Sequence, residues 1–448
     1  MNPPQAKARQ KTQILETMPT DHPTPLHRLQ AWQAAALLAR RELTAEDLVR
    51  ACLDRISERE PQVVAFVHID ADAALATARQ LDAGPLRGLL HGLPFGVKDL
   101  FDTSDMPTAY GSPIYSGQQP LADAAAVALC REAGAVLLGK TVTTELANMV
   151  PGVTRNPHNP LHTPGGSSSG SAAAVADAML PLALGTQTAG SLIRPAAFCG
   201  VVGYKPSHNR VPKAGVKSLS ETLDTVGGFA RSVRDVALLG AVLTGDARLA
   251  DPAAFSQPMT PRIGFCQTPE WALADADTQQ TWAQAEQALG RHAVSMALPL
   301  ELSGLVAVQK EVQAFETARS LSHERLRHQE QLSTPLRALI AEGLAISGEA
   351  HAHHLLLTAM ARRQVQALFG PYDVLLAPSS IGEAPAGLDG TGDPLFCRSW
   401  TLLGLPCVHL PFARGRTGLP LGLQLVGAYG DDHRLLAVAH WVHERLIR

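Results

Sequence analysis

Apolar positions along the chain change their period several times, and each change predicts an element. Leu48, Val49, Cys52, Leu53 and Ile56 recur at three- and four-residue spacing, the stripe of one helical face. Thr44 stands where that helix would begin, with Asp47 three residues later in the spacing of a capping box. Residues 63–69 then read as a strand and 70–81 as a second helix. Further on, short apolar runs at 93–97, 135–139, 180–184 and 201–204 read as strands, with a helix over 122–133. Such alternation predicts an α/β fold: a large mixed, mostly parallel sheet covered by helices on both faces, with function on the connecting loops.

Residues 250–372 differ. They are rich in Gln, Ala, Leu, Glu, Arg and His in long helical patterns at 305–326 and 351–368, which predicts a helical layer over the sheet. Strands at 374–377 and 421–426 and a helix over 431–445 close the chain. Residues 1–24, rich in Pro, Gln and Thr, read as a flexible arm. No internal repeat or linker interrupts the rest, so 25–448 is expected to be one domain. Within it, a core spans about 80–245, the variable helical layer about 250–372, and the closing strands and helix 373–448.

Composition narrows the function. With 46% hydrophobic and 18% charged residues over 448 positions, the chain buries a large core and is not disordered. A net charge of -3 leaves no basic footprint for nucleic acid or an anionic membrane, so a small-molecule partner is expected. Six scattered cysteines without a CxxC pair fit free thiols in a reducing compartment. Neither a signal-peptide pattern nor a membrane-length apolar run is present, which points to a cytoplasmic protein away from the membrane.

The candidate chemistry lies between Thr163 and Gly203, in TPGGSSSGSAAAVADAMLPLALGTQTAGSLIRPAAFCGVVG. A flexible Gly/Ser linker would join polar flanks, whereas this cluster runs into an apolar helix and strand. GSSSG fits a G-x-S-x-G elbow with Ser168 at its apex, but a Pro, His and Asn loop stands where that elbow needs a strand. No Lys-Ser or Lys-Thr follows the glycines as in a phosphate-binding loop. Ser191 offers a fourth reading: an apolar strand ends in GTQTAGS, whose small residues leave backbone N–H groups free to hold an oxyanion. It still needs a base: neither serine-bearing stretch holds a histidine, and Lys98 in HGLPFGVKD is a candidate, for although a lysine is ordinarily a solvated surface residue, burial can leave it neutral near pH 7. A metal site would need His351, His353 and His354 with Glu349, or His158 and His162. Only His351 and His354 share a helical face, so neither metal nor other cofactor is expected.

GGSSSGSAAA, GTQTAGSLIRPAAFCGVVGYKP and LHGLPFGVKD together resemble the amidase signature family, and the similarity runs from about Leu26 through TGDPLFCRSWTLLGLPCVHLP and GLPLGLQLVG. By that resemblance the family's lysine falls on Lys98, its cis-bonded bridging serine on Ser167 and its nucleophile on Ser191. The oxyanion and substrate donors fall on Thr188, Ala189 and Gly190, with Ser191 itself. The implied activity is hydrolysis of a carboxamide through an acyl-enzyme, releasing an acid and ammonia or an amine, and a homodimer is implied too. The same fold serves as the glutaminase subunit of tRNA-dependent amidotransferases, which passes ammonia to a partner. Many members carry an aspartate and two glycines where this chain has Gln187 and Ala189-Gly190. The first change is expected to remove a charge partner from Arg194 and the second to narrow the pocket, which Tyr110, Met149 and residues 390–400 help to build.

Overall fold

The computed structural model describes residues 24–448, so the expected N-terminal arm falls almost wholly outside the described residues. The first stripe folds as the helix Ala45–Val63, with Thr44 Oγ1 accepting from the Asp47 amide at 3.1 Å. Asp47 answers by accepting the Thr44 hydroxyl at 2.6 Å rather than the Thr44 N–H. This helix runs further than the sequence pattern indicates and ends at Val64 in the left-handed region (φ 52). The expected strand at 63–69 is therefore shortened to β1, Phe66–Ile69.

The remaining strands are β2 (Pro94–Lys98), β3 (Val136–Thr141), β4 (Leu182–Gln187), β5 (Val202–Lys205) and β6 (Thr225–Ala230). They are followed by β7 (Ile263–Gln267), β8 (Ala293–Ala297), β9 (Val374–Pro378), β10 (Cys407–Arg414) and β11 (Pro420–Val426). All eleven form one sheet in the order β1-β3-β2-β4-β6-β5-β10-β11-β9-β7-β8. The sheet is mixed, as expected, but its parallel share is smaller than the pattern implied. Parallel pairing is confined to β3-β2-β4 and to β9-β7-β8. The other six pairings, including the whole centre from β4 to β9, are antiparallel. Burial of both faces produces the same continuous apolar runs whichever way a strand points, so period cannot report direction.

Strands β6, β7, β8 and β10 lie outside the apolar runs assigned to strands above. In β6, TVGGFA, glycine is imposed by approach of the neighbouring strand, since a Cβ on Gly227 would lie 2.2 Å from the Tyr204 carbonyl oxygen. Strands β7 and β8 belong to 250–372, so that segment extends the sheet edge as well as covering it. Its long pattern at 305–326 breaks at Leu321 into the helices Leu305–Ser320 and Ser322–Arg327. Leu305, Val312, Ala361 and Val365 form a second buried cluster with Leu375 and Ala377 of β9 and the fully buried Trp400. From the helices of that cluster, Gln309 and Thr401 reach the Thr188 and Ala189 carbonyls just after β4.

Candidate active site

Lys98 is the last residue of β2, a strand buried along its whole length, and is itself 0% exposed. Its ammonium nitrogen donates to Ser167 Oγ and to Thr186 Oγ1, both at 2.7 Å. Burial is the main cause that pulls its pKa down to about 7, with the Asp224 carboxylate acting weakly the other way. Near neutral pH about half of Lys98 is thus unprotonated and able to accept a proton. Parallel pairing of Val97 with Leu184 sets β2 beside β4, which is why Thr186 reaches it.

Ser167 is nearly fully buried and follows a cis peptide bond from Gly166. The Gly166 carbonyl accepts from Arg194 Nη2 at 2.7 Å, while Arg194 Nη1 donates to the Gly392 carbonyl at 2.6 Å. Gln187 does not face Arg194. Its Oε1 accepts from Leu192 N (2.9 Å) and Ile193 N (3.1 Å), at the start of the helix Ile193–Cys199, and its Nε2 donates to Thr401 Oγ1 at 2.9 Å. Gln187 is a buried helix cap, and Arg194 is held by two backbone carbonyls instead of a carboxylate.

The loop from Thr188 to Ser191 is asymmetric. Its first three carbonyls are all engaged: Thr188 by Gln309 Nε2 (3.0 Å), Ala189 by Thr401 Oγ1 (2.8 Å) and Gly190 by Arg194 N (2.9 Å). Among the described residues, the N–H groups of Thr188, Ala189, Gly190 and Ser191 donate to no protein acceptor. Unpaired donors in so buried a loop are costly unless a ligand oxygen takes them. Gly190 is required by contact, because a Cβ there would lie 2.6 Å from Pro394 Cβ. Ser191 is 7% exposed and its hydroxyl makes no protein hydrogen bond among the described residues, Ser167 included. The structure therefore joins Lys98 to Ser167 directly and leaves Ser191 free at the end of the open N–H row.

Ser168 is occupied elsewhere. It is 0% exposed, its Oγ donates to the Thr186 carbonyl and accepts from the Thr186 amide, and no strand precedes it. His158 and His162 tie loops to the Cys199 and Ala384 carbonyls. His351 stacks on Phe315 and lies 3.5 Å from Glu316, and His354 lies 3.3 Å from Glu311. Among the described residues no group of three or more His, Cys, Asp or Glu side chains is arranged to hold a metal. Tyr110 is buried with its hydroxyl on Asp102, while Met149 is 61% exposed. Sequence reading missed Thr186, Asp224, Gln309 and Thr401. Thr186 lies inside the GTQTAGS motif and Thr401 inside TGDPLFCRSWTLLGLPCVHLP, where both could have been found, but Asp224 and Gln309 come from segments without a local signal.

The fold thus brings a buried lysine onto a serine hydroxyl beside a loop of open N–H groups. A family model described as Amidase matches residues 47–436, and the chain belongs to the amidase signature family. A glutamyl-tRNA(Gln) amidotransferase subunit from Oleidesulfovibrio alaskensis is 34% identical over 476 aligned positions, covering 93% of this chain and 97% of that one. Among solved structures, a chain from an inhibitor-bound vestigial protein complex, described as revealing the evolutionary origins of an s-triazine catabolic enzyme, superposes with a TM-score of 0.86 at 26% identity. That match covers 93% of this chain and 100% of the other. The 6-aminohexanoate cyclic dimer hydrolase with bound substrate superposes with a TM-score of 0.84 at 25% identity, over 94% and 98% of the two chains.

Proposed function

We propose that the chain hydrolyses a carboxamide C–N bond, with Ser191 as nucleophile, Ser167 as proton bridge and Lys98 as the final acceptor. The observation that carries this reading is the buried Lys98 ammonium on Ser167 Oγ, beside a loop whose N–H groups are unpaired. In the first half-reaction the Ser191 hydroxyl turns onto Ser167, whose own proton passes to neutral Lys98. The Ser191 oxygen then attacks the amide carbon, and the N–H groups of Thr188, Ala189, Gly190 and Ser191 receive the negative oxygen. Each such donor typically contributes about 100-fold or more in rate. Collapse of the adduct breaks the C–N bond as the proton returns through Ser167 to the leaving nitrogen. Water then attacks the acyl-Ser191 ester by the same relay, freeing the acid.

This reading takes residues 25–448 as one catalytic unit, supported by a single sheet that runs from Phe66 to Val426. It also carries a cytoplasmic location and a homodimer, open to fractionation and light scattering. The test is reaction of the purified chain with a fluorophosphonate, followed by peptide mass mapping. An adduct on Ser191, absent in Ser191→Ala, is expected together with ammonia release from simple amides; an adduct on another serine overturns the assignment.

A second reading has its own support. The 34% identity to a glutamyl-tRNA(Gln) amidotransferase subunit, over nearly the whole of its length, favours a glutaminase that works within a complex. Its chemistry at Ser191 is the same, but glutamine turnover would appear only on addition of partner proteins. Robust hydrolysis by the isolated chain excludes it.

A further inference from the structure

The helix Gly348–Leu368 is held firmly by one face and uncovered on the other. Inward, Ala361 and Val365 join the second buried cluster, and the Arg362 guanidinium donates to the Leu402 carbonyl at 2.8 and 3.1 Å. Outward, Glu349, Ala352, Leu356, Met360 and Arg363 are exposed, Leu356 at 58% and Met360 at 51%. A single apolar side chain on a surface is ordinary. Here the order of the exposed residues carries the information. Leu356 stands seven residues from Glu349 and seven from Arg363, about two helical turns each way, so all three fall in one line along the helix. Among the described residues neither Glu349 nor Arg363 makes an ion pair or a side-chain hydrogen bond.

A line with an acid at one end, a base at the other and a leucine midway is complementary to itself when turned end for end. If a second identical helix lies antiparallel across it, Leu356 meets Leu356, the small Ala352 meets the large Met360, and Glu349 meets Arg363 at both ends. His353 then falls against Ala359, so no like charges are opposed. Contacts that repeat in this reciprocal way are the mark of a two-fold interface.

We infer that this face docks a second copy of the chain, antiparallel about a two-fold axis at Leu356. The homodimer itself belongs to the reading proposed above, on which this rests; the inference names its surface. One pair of 21-residue helices, about 32 Å long, stands at the small end of specific interfaces. Dissociation is therefore expected at about micromolar concentration, and sedimentation velocity of the full chain over about 1–100 μM reads it. The wild type should pass from monomer to dimer across that range. Leu356→Glu sets two carboxylates face to face and should keep the chain monomeric throughout. Glu349→Arg and Arg363→Glu should each raise the dissociation constant about tenfold. The two combined restore opposite charges in the same register and should return it to near the wild-type value. A wild type that stays monomeric overturns the inference together with the homodimer. A dimer that Leu356→Glu leaves intact, or a double variant no tighter than the single ones, keeps the homodimer and refutes this surface. Amide turnover by the wild type, measured on the same samples, tests the hydrolase reading whatever the mass.

Discussion

Lys98→Met removes the proposed proton acceptor while keeping a side chain of similar length, and its effect on stability is as informative as its effect on rate. In the unfolded chain Lys98 titrates at its ordinary 10.5, whereas in the fold it titrates at about 7. Below pH 7 both states carry the proton, and the fold bears the full penalty of a buried ammonium, about 5 kcal/mol at pH 6. As pH rises towards 10.5 the folded lysine is already neutral while the unfolded one gradually becomes so, and the penalty shrinks to about 2 kcal/mol at pH 9. Stability held back by Lys98 is therefore recovered with rising pH, and methionine abolishes that dependence. Methionine also deprives Ser167 and Thr186 of a hydrogen-bond donor, a pH-independent loss of roughly 1 kcal/mol each. Urea unfolding of both proteins at pH 6 and pH 9 measures the difference. The variant should gain about 3 kcal/mol relative to wild type at the lower pH, with amide hydrolysis lost at both. Parallel pH curves for the two proteins would refute a depressed lysine, whatever happened to activity.

Because only neutral Lys98 accepts a proton, kcat/KM should fall about tenfold per pH unit below about 7 and level off above it; a flat acid limb counts against lysine as the base. Asp224→Asn removes the carboxylate that raises the Lys98 pKa, so the acid limb should move to lower pH, and movement to higher pH contradicts the assigned cause. Gln187→Leu strands the buried Leu192 and Ile193 amides and removes one donor from Thr401 Oγ1, which keeps its bond to the Ala189 carbonyl, with an expected loss of about 2–4 kcal/mol seen as a lower Tm. An unchanged Tm would show that Gln187 is not the cap of that helix.

Much of the site is legible as text because its parts are local. The GTQTAGS loop, the Ser167 cluster and the Lys98 strand each depend on neighbours a few residues away, where small side chains leave backbone donors open and an apolar strand buries a lysine. The loop offers donors in the fold as its composition suggests, and Lys98 reaches Ser167 across 69 residues. What the sequence determined by itself is this local chemistry, together with the α/β alternation and most helix positions, since both follow from the period of apolar residues. The tertiary structure alone decided the antiparallel centre of the sheet, since strands buried on both faces look alike in either direction. It also decided where polar side chains end. Gln187 caps a helix instead of addressing Arg194, and Gln309 and Arg398 come from segments 89 residues apart to meet behind Thr188. Partners of a buried polar group are chosen by packing across the whole chain, and periodicity along the chain carries no record of that choice.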